Sequence, residues 1–532
     1  MELRASHLSY QSTGYFSKIV IDYLEQSPEL QSFYGEAPTL NGIKKAIVAR
    51  KKFTTDRKLL VTELRKQYSS IQLSAKQEAH LVALNDDNCF TVTTAHQPNI
   101  FTGHLYFIYK ILHAIKLAAY LKEQLPENNF VPVYYIGSED ADLDELGEVF
   151  LNGTEYHWRT KQTGAVGRMK VDDELLKIID AIAGQVLVEK YGNEIIDLIR
   201  QCYTKGAMIE QATFKLVNQL FAEYGLITLL PDNAALKQTM LPVFEDDLLN
   251  NIAGSIVEKT SAELAEHFKA QAYPREINLF YLKDNRRERI EKKKEQFVTV
   301  DTQQIFSRDE MITELKSHPE RFSPNVILRG LYQETILPDI AFVGGGGELA
   351  YWLQSKDLFQ HYKVPYPVQV LRNSFLILHE KVRLKLESMD VEMKDIFKTE
   401  DVLLNAIVKK ESALQLNLEK EKAILIQYYA SLKTVAAAVD ITLTAHAENL
   451  CSKALKKIEM LEKKMLRSEK LKFEAQKRQL HKIKSLLFPD NGLQERVENF
   501  IPYYAQWGHE FIEQVYKNSL ALEQQFCILL PH

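Results

Sequence analysis

The segment 89–136 constrains the fold of this chain more than any other part of the sequence. Residues 89–94 are short and β-branched, which predicts a buried strand. Residues 104–125 place leucine, isoleucine and alanine on one face of a long helix, and residues 130–136 form a second apolar strand. A strand, a helix and a strand in this order make a βαβ unit, whose two strands are parallel. The sequence therefore predicts an α/β protein built on a mostly parallel sheet.

Apolar spacing, proline and glycine divide the rest of the chain. Between residues 155 and 171, the turn glycines Gly164 and Gly167 predict a small hairpin. Over 399–440 and 441–487 prolines vanish and apolar residues recur at coiled-coil spacing, which predicts two long antiparallel helices. The predicted segments are a helical lead-in at 1–85, a sheet core at 86–382 with insertions at about 152–225 and 232–325, an antiparallel coiled coil at 383–490, and a segment at 491–532 that returns to the core.

Charge and cysteine content exclude several classes of partner and site. Lys and Arg total 66 against 71 Asp and Glu, a formal net charge of -5, so the chain as a whole has no attraction to nucleic acid or to anionic lipid. The first residues lack a signal-peptide pattern, and the four cysteines lie far apart without metal-ligand spacing. We expect a cytoplasmic protein with reduced thiols and no structural metal, which binds neither nucleic acid nor membrane.

One stretch departs from this charge balance. Residues 453–482 carry eleven Lys or Arg and four Asp or Glu. Such a run is most often the solvated surface of a coiled coil. The alternative is a basic seat for a phosphate-bearing ligand, and the sequence leaves both open.

The loop after the first predicted strand is a candidate site, because parallel sheets bind ligands beyond the carboxyl ends of their strands. His96 and His104 are candidate catalytic residues that could brace negative charge or shuttle a proton. Gly103 would let backbone amides at the following helix start approach an anion. The candidate binding residues of this loop are Gln97, Asn99, Thr102 and Gly103. Alternatively, its amides and imidazoles only hold the loop together.

The loop after the second strand is strongly acidic, with five carboxylates in positions 139–145. Such crowding raises some of their pKa values and calls for a cation: Mg²⁺, a substrate ammonium or an arginine. Glu139, Asp140 and Asp142 are the candidate catalytic carboxylates. The alternative is an acidic helix start that complements the helix dipole.

Two further pieces could reach the same crevice. A glycine turn at 344–347 follows an apolar stretch and precedes a helix, so its bare backbone can contact a ligand. Arg329 and Glu334 precede it, and Arg372, Asn373 and Ser374 follow a late strand at 368–371, although an arginine here is more often part of a structural ion pair. We predict that the segments near 100, 140, 345 and 372 converge over one edge of the sheet.

These motifs resemble the bacillithiol-synthesis cysteine-adding enzymes, the cysteine ligases called BshC. The resemblance is collinear and rests on FTGHLYFIYK at 101–110, VPVYYIGSEDAD at 131–142, AFVGGGGELAYW at 341–352, RNS at 372–374 and LQER at 493–496. It implies a Rossmann-like core with two connecting-peptide insertions and a homodimer formed through the coiled coil. The binding residues predicted on the matched motifs are Tyr109, Lys110, Gly344, Gly345, Gly346, Gly347, Glu348, Tyr351, Trp352, Arg372, Asn373 and Ser374.

The resemblance also implies a reaction, the joining of L-cysteine to glucosaminyl-malate in the last step of bacillithiol synthesis. Ala141 stands where the family commonly has a histidine, so a proton-transfer role at that position does not carry over, and His104 is its predicted substitute. Forming an amide near neutral pH requires an activated carboxylate, for which ATP, with Mg²⁺ as a possible companion, is the expected activator. Two rivals stay open: another nucleotide-dependent transferase on the same fold, and a non-catalytic coiled-coil scaffold.

Overall fold

The computed structural model describes residues 2–531, so Met1 and His532, the outer bounds of the predicted terminal segments, lie outside the described residues. The chain forms two units, residues 2–376 with 493–531, and residues 377–492. Among the described residues, no helix combines the length and the apolar character needed to cross a lipid bilayer.

The lead-in is mostly helical, as predicted, but it begins with a strand that the sequence analysis missed. Strand β1 (Leu3–Leu8) pairs antiparallel with residues 526–531 at the other end of the chain, and only that distant pairing makes it a strand. The helices that follow are α1 (Tyr10–Thr13), α2 (Lys18–Leu24), α3 (Leu40–Arg50), α4 (Arg57–Gln67) and α5 (Ala75–Ala83).

The predicted βαβ unit is present as β2 (Cys89–His96), α6 (Tyr106–Gln124) and β3 (Asn129–Ile136). The short helix α7 (Leu143–Leu146) and the hairpin of β4 (Glu148–Leu151) and β5 (Thr154–His157) follow. The hairpin prediction was wrong about the turn, which lies at residues 152–153. Gly164 and Gly167 instead allow close backbone approach, since a Cβ there would come within 2.7 Å of the Asn285 carbonyl oxygen and 2.5 Å of the Ser138 carbonyl oxygen.

The two insertions bracket one strand of the central sheet. The first holds three amphipathic helices, and the second holds an antiparallel sheet whose basic run forms a strand. The elements are α8 (Asp173–Val186), α9 (Gly192–Cys202), α10 (Ile209–Phe221), β6 (Ile227–Leu229), α11 (Ala234–Gln238), α12 (Leu241–Asn250), α13 (Ile252–Leu264), β7 (Leu279–Lys283), β8 (Arg286–Lys293), β9 (Gln296–Thr299), β10 (Ile305–Ser307), α14 (Arg308–Ser317) and β11 (Phe322–Pro324).

The chain then returns to the central sheet. The elements are α15 (Val326–Ile336), β12 (Asp339–Gly344), α16 (Gly346–Leu353), α17 (Lys356–His361), β13 (Val368–Leu371) and β14 (Phe375–Ile377). The central sheet runs β13-β12-β2-β3-β6 with all neighbours parallel. After β2 the chain moves to one side of that strand, and β12 pairs on its other side, so β2 and β12 flank the switch point of a Rossmann-like sheet. The predicted fold class is confirmed.

Packing on this sheet explains why its strands are apolar on both faces. Ile43 of α3 and Leu117 of α6 join Phe90, Val92 and Val343 in one buried cluster. Each such side chain contributes about 1.5–3 kcal/mol when it is fully buried. This core holds the carboxyl ends of β2 and β12 side by side.

The second unit holds α18 (Glu380–Ser388), α19 (Glu400–Glu411), α20 (Glu419–Val439), α21 (Leu443–Lys470) and α22 (Glu474–Leu487). Helices α20 and α21 pack antiparallel, with ion pairs from Lys422 to Glu462 at 2.8 Å and from Lys433 to Glu448. The predicted pair of long antiparallel helices is confirmed, but neither helix runs the whole length of its predicted range. Residues 412–418 interrupt the first, where the Ser412 hydroxyl accepts the Leu414 amide hydrogen, and a 3-10 turn over 471–473 interrupts the second.

The last segment returns to the first unit through α23 (Ile501–Trp507), α24 (His509–Asn518) and β15 (Phe526–Pro531). Strand β15 lies between β1 and β14 in a three-stranded sheet. The C-terminal strand therefore returns to the core.

Candidate active site

A cavity of about 540 Å³ lies beyond the carboxyl ends of β2, β3, β12 and β13, within the first unit. Its volume is in the range of small-molecule sites. It is lined by Ala95, His96, Gln97, Tyr106, Lys110, Tyr135, Gly137, Asp140, Glu145, Tyr273, Arg275, Phe280, Arg287, Asn325, Val326, Arg329, Gly345, Gly346, Gly347, Glu348, Tyr351, Arg372 and Arg496. The cavity thus brings together parts of all four segments that the sequence analysis expected to converge.

Cations outnumber carboxylates among the lining residues. The cationic side chains are Lys110, Arg275, Arg287, Arg329, Arg372 and Arg496, and the carboxylates are Asp140, Glu145 and Glu348. A cavity lined mainly by one sign of charge attracts ligands of the other sign. The walls therefore favour an anionic ligand.

His96, the last residue of β2, lies in the cavity wall. Its Nδ1 accepts the backbone N–H of Gln97 at 2.8 Å, and its Nε2 lies 3.2 Å from the Tyr106 hydroxyl. Burial, together with the nearby Lys110 cation, lowers the pKa of His96 well below its usual value. The imidazole is consequently neutral at physiological pH.

The rest of that loop turns away from the cavity, contrary to its predicted role. Asn99, Thr102 and Gly103 are buried and are not among the described residues that line the cavity. The Asn499 amide donates to the Phe101 carbonyl at 2.9 Å, which fixes the loop. His104 also lies outside the lining, with Nδ1 3.2 Å from the Val497 carbonyl oxygen. The interpretation that this part of the loop is a structural network fits the geometry better.

Lys110 links α6 to the glycine turn. Its Nζ contacts the Ala95 carbonyl oxygen and lies 2.6 Å from Glu348 Oε2, which also accepts the Gly345 amide hydrogen at 2.7 Å. Glu348 thereby caps the start of α16. The first amides of a helix have no acceptor within the helix, and Gly346 and Gly347, at the start of α16, both line the cavity.

Of the three predicted catalytic carboxylates, Asp140 is the one that lines the cavity. The Gln97 amide donates to its Oδ2 at 3.3 Å, and Arg329 lies 3.7 Å from the same oxygen. Burial opposes its ionisation, but the Arg329 and Arg287 cations outweigh that effect and lower the pKa of Asp140. Asp140 is therefore an ionised group at the end of β3.

The other acidic-loop residues have different positions. Asp142 is exposed, lies outside the lining of the described part of the chain, and caps α7 by accepting the Glu145 amide hydrogen at 3.2 Å. Glu139 is buried and pairs with Lys237 at 2.5 Å, so its carboxylate belongs to a structural ion-pair cluster. Glu145 lines the cavity and is still exposed to solvent, and partial burial together with Asp140 and Asp142 raises the pKa of Glu145.

Four residues that the sequence analysis expected near the ligand lie in the protein interior instead: Tyr109, Glu334, Gly344 and Trp352. Tyr109 is buried, with its ring 4.8 Å from that of Phe375. Trp352 packs against Phe342 at 4.8 Å, and a Cβ on Gly344 would lie 2.8 Å from the Phe342 ring. These three residues are not in the described lining of the cavity, whereas Gly345, Gly346, Gly347 and Tyr351 are. Glu334 pairs with Arg50 at 2.5 Å instead of reaching the crevice.

Of the three predicted binding residues that follow β13, one lines the cavity and two do not. Arg372 lines the cavity, whereas Asn373 and Ser374 are buried beneath it. The Asn373 side chain donates to the Leu520 carbonyl at 3.0 Å, and the Ser374 hydroxyl accepts from Arg372 at 3.1 Å. Asn373 and Ser374 therefore support the cavity wall from behind.

Several lining residues escaped the sequence analysis because distant elements deliver them. Arg287 comes from the inserted sheet, where its guanidinium lies 3.7 Å from the centre of the Phe280 ring. Burial and the Arg329 cation lower the pKa of Arg287 to about 10. Arg496 comes from the C-terminal segment. The basic run at 286–294 and the LQER motif were the available signals, and neither indicates where its arginine points.

Comparison with known proteins gives a consistent family. The model described as bacillithiol biosynthesis BshC, N-terminal Rossmann-like domain, matches residues 3–373, and the C-terminal coiled-coil model of the same description matches residues 375–530. A relative named "Putative cysteine ligase BshC" from Flavobacterium johnsoniae is 38% identical and covers 98% of this chain and 99% of its own. Relatives of the same name from Cytophaga hutchinsonii and Chlorobaculum tepidum are 36% and 28% identical over 96% and 94% of both chains.

Proposed function

Because this chain belongs to the bacillithiol biosynthesis BshC family, we propose that it is a ligase that joins the carboxyl group of L-cysteine to the amine of glucosaminyl-malate. Amide formation is the last step of bacillithiol synthesis in this proposal. ATP is the proposed activator of the carboxylate.

The observation that carries the proposal is the cavity at the switch point, where cations surround a few carboxylates. The amides of Gly346 and Gly347 would hold the phosphates of ATP. ATP would supply the activation that turns a carboxylate oxygen into a leaving group. Glucosaminyl-malate also carries carboxylates, so both proposed substrates suit a cationic cavity.

The described residues offer Mg²⁺ no ligand set in the cavity. Lys110 and the Gly345 amide occupy Glu348. Asp140 and Glu145, the other two lining carboxylates, have no third side chain at metal-ligand spacing among the described residues. Within residues 2–531, the one group of three side chains spaced to hold a metal is Glu148, Glu155 and His157, on the exposed hairpin outside the cavity. The proposal therefore uses no protein-bound magnesium.

The carboxylates that face the cavity have distinct proposed roles. Asp140 stays ionised and binds the ammonium group of cysteine. Glu145 accepts the proton of the attacking amine, because a carboxylate with a raised pKa is the better base near neutral pH. His96 is neutral and orients Tyr106 and Gln97 through its two ring nitrogens.

The decisive experiment incubates the purified chain with L-cysteine, glucosaminyl-malate and ATP and identifies the product by mass spectrometry. We expect an amide product that requires all three substrates. A product formed with another amine acceptor in place of glucosaminyl-malate would favour the transferase alternative. No product with any acceptor would contradict the ligase.

Asp140 provides a test of the ammonium site. We expect Asp140→Asn to raise KM for cysteine about tenfold, because a charge-assisted hydrogen bond to the ammonium is lost. Steady-state kinetics with cysteine as the varied substrate measures the effect. Asp144→Asn is the matched control, since Asp144 is exposed and lies outside the described cavity lining. Equal KM values for the two variants would contradict the role of Asp140.

We further propose that the chain forms a homodimer through its coiled-coil unit. Ile424, Tyr428 and Val435 share one face of α20 and are 67%, 58% and 65% exposed. A contiguous apolar stripe of this kind on an exposed helix is typical of a helix that packs against a partner.

We expect Tyr428→Lys combined with Val435→Lys to lower the mass found by sedimentation from that of a dimer to that of a monomer. Ala430→Lys, on another exposed face of α20, should leave the mass unchanged. A wild-type chain that sediments as a monomer would contradict the homodimer.

A further inference from the structure

The turn Gln494–Arg496 carries two opposite charges into the cavity wall. Glu495 is fully buried, whereas the next residue, Arg496, is exposed and lines the cavity. Both lie close to Arg372, which the sequence analysis named among the candidate binding residues.

The guanidinium of Arg372 is largely occupied by the protein itself. One terminal nitrogen donates to the Asn373 carbonyl at 3.0 Å and to the Ser374 hydroxyl at 3.1 Å. The other donates to Glu495 Oε1 at 2.7 Å, and the face of the guanidinium lies 4.8 Å from the centre of the Tyr106 ring. Glu495 also accepts the Phe375 amide hydrogen at 3.2 Å, which fixes the carboxylate. The buried Glu495 carboxylate thus neutralises the charge of Arg372 on the side away from the cavity.

Arg496 has the opposite surroundings. Among the described residues, no hydrogen bond or ion pair engages its guanidinium, and the Arg372 cation lies close enough to repel it. Desolvation of the guanidinium inside the cavity, together with the Arg372 cation, lowers the pKa of Arg496, while the Glu495 carboxylate acts in the opposite direction. The side chain as a whole remains accessible to solvent. Five N–H donors facing a cavity without a protein acceptor suit a carboxylate or a phosphate.

We propose that Arg496 is the residue of this wall that binds the anionic group of the ligand, and that Glu495 is a positioning residue that keeps Arg372 committed to the wall. The inference rests on the proposed function only in that the cavity binds an anion. Carboxylate and phosphate share the required chemistry, and the experiment distinguishes between them.

The test is calorimetric titration of the full chain at low ionic strength with inorganic tripolyphosphate and, separately, with L-malate. We expect Arg496→Gln to weaken the binding of at least one of them about tenfold. The anion that is affected identifies the group. Arg200→Gln, which removes an exposed arginine of α9 outside the described lining, should bind both as the wild type does.

Glu495→Gln tests the positioning role in the opposite direction. Removing the carboxylate frees the charge of Arg372, so we expect tripolyphosphate or L-malate to bind several-fold more tightly even though the fold is less stable. A purely structural role would weaken binding together with stability, and that result would overturn the assignment of Glu495.

The assignment of Arg496 does not depend on how well Glu495→Gln folds. Because the Arg496 side chain is accessible to solvent and no described residue pairs with its guanidinium, Arg496→Gln should melt at the wild-type temperature. Equal affinities for Arg496→Gln and Arg200→Gln, or a wild type that binds neither anion, would overturn the proposal. Loss of anion binding in Arg496→Gln without any amide product from the wild type would refute the proposed ligase and leave the anion site standing.

Discussion

Replacing Glu145 by glutamine is expected to lower kcat/KM for amide formation about a hundredfold or more. A positioned general base contributes about 10²–10⁴-fold, and the amide of glutamine cannot accept the proton. Glu145 lines the cavity, and partial burial together with Asp140 and Asp142 raises its pKa, which brings the carboxylate closer to the working pH. Steady-state assays of the ligation reaction at pH 7 measure the loss.

The pH profile separates a base from a merely structural carboxylate. The ionised form is the active one, so the wild-type kcat/KM should rise with pH as Glu145 loses its proton. In Glu145→Gln that acidic limb should disappear, and the remaining rate should be flat across the same range. Asp144→Asn, on the same short helix but outside the described cavity lining, should keep both the rate and the limb. An unchanged acidic limb in Glu145→Gln would assign the base to another residue.

Replacing Arg50 by leucine is expected to lower the free energy of unfolding by about 3–5 kcal/mol at neutral pH, because it leaves a buried carboxylate without its partner. The Arg50 guanidinium is 2% exposed and pairs with Glu334, which is 0% exposed, at 2.5 Å. It also donates to the Glu334 and Asp339 carbonyl oxygens at 2.8 Å. Chemical denaturation followed by circular dichroism measures the difference.

The loss at Arg50 should depend on pH. Burial raises the pKa of both Glu334 and Asp339, so the native state retains protons that the unfolded chain has released. A carboxyl group whose pKa is raised in the folded protein lowers the free energy of unfolding as pH rises, and removing the guanidinium makes that decrease larger. The deficit of Arg50→Leu should therefore shrink as the pH falls into the acidic range. Arg65→Leu, which breaks the exposed pair with Glu78, should change stability little at any pH. A similar deficit in both variants would contradict this account of Arg50.

The predictions about site residues that agree with the structure depend on nearby sequence, whereas those that disagree depend on contacts with distant parts of the chain. His96 and Asp140 end up in the cavity because each lies just beyond the end of a predicted parallel strand. Asn99 and Thr102 have equally suggestive side chains, yet their loop turns inward, where the Asn499 amide anchors it from the far end of the chain. In both cases the sequence shows the chemistry of the side chain, but it does not show whether the side chain points into the cavity or into the protein interior.

The coiled-coil unit shows a similar limit. The heptad-like spacing correctly indicates that α20 and α21 pack against each other. The interruption at 412–418 depends on hydrogen bonds between side chains such as Ser412 and the nearby backbone, which compete with the helical hydrogen bonds. Such bonds do not change the spacing of apolar residues, so the sequence pattern does not reveal them.

Strand and helix periods along 89–136 by themselves determined that this chain builds a parallel α/β sheet, because each period reflects which face of a local element is buried. The sequence motifs likewise determined the family. Tertiary structure alone decided that Arg287 and Arg496 share one cavity with His96, and that Glu495 neutralises Arg372 while Arg496 stays open to a ligand. The physical reason is that the sequence gives the charge of each side chain directly. Which partner that charge meets depends on how elements far apart in the chain pack together.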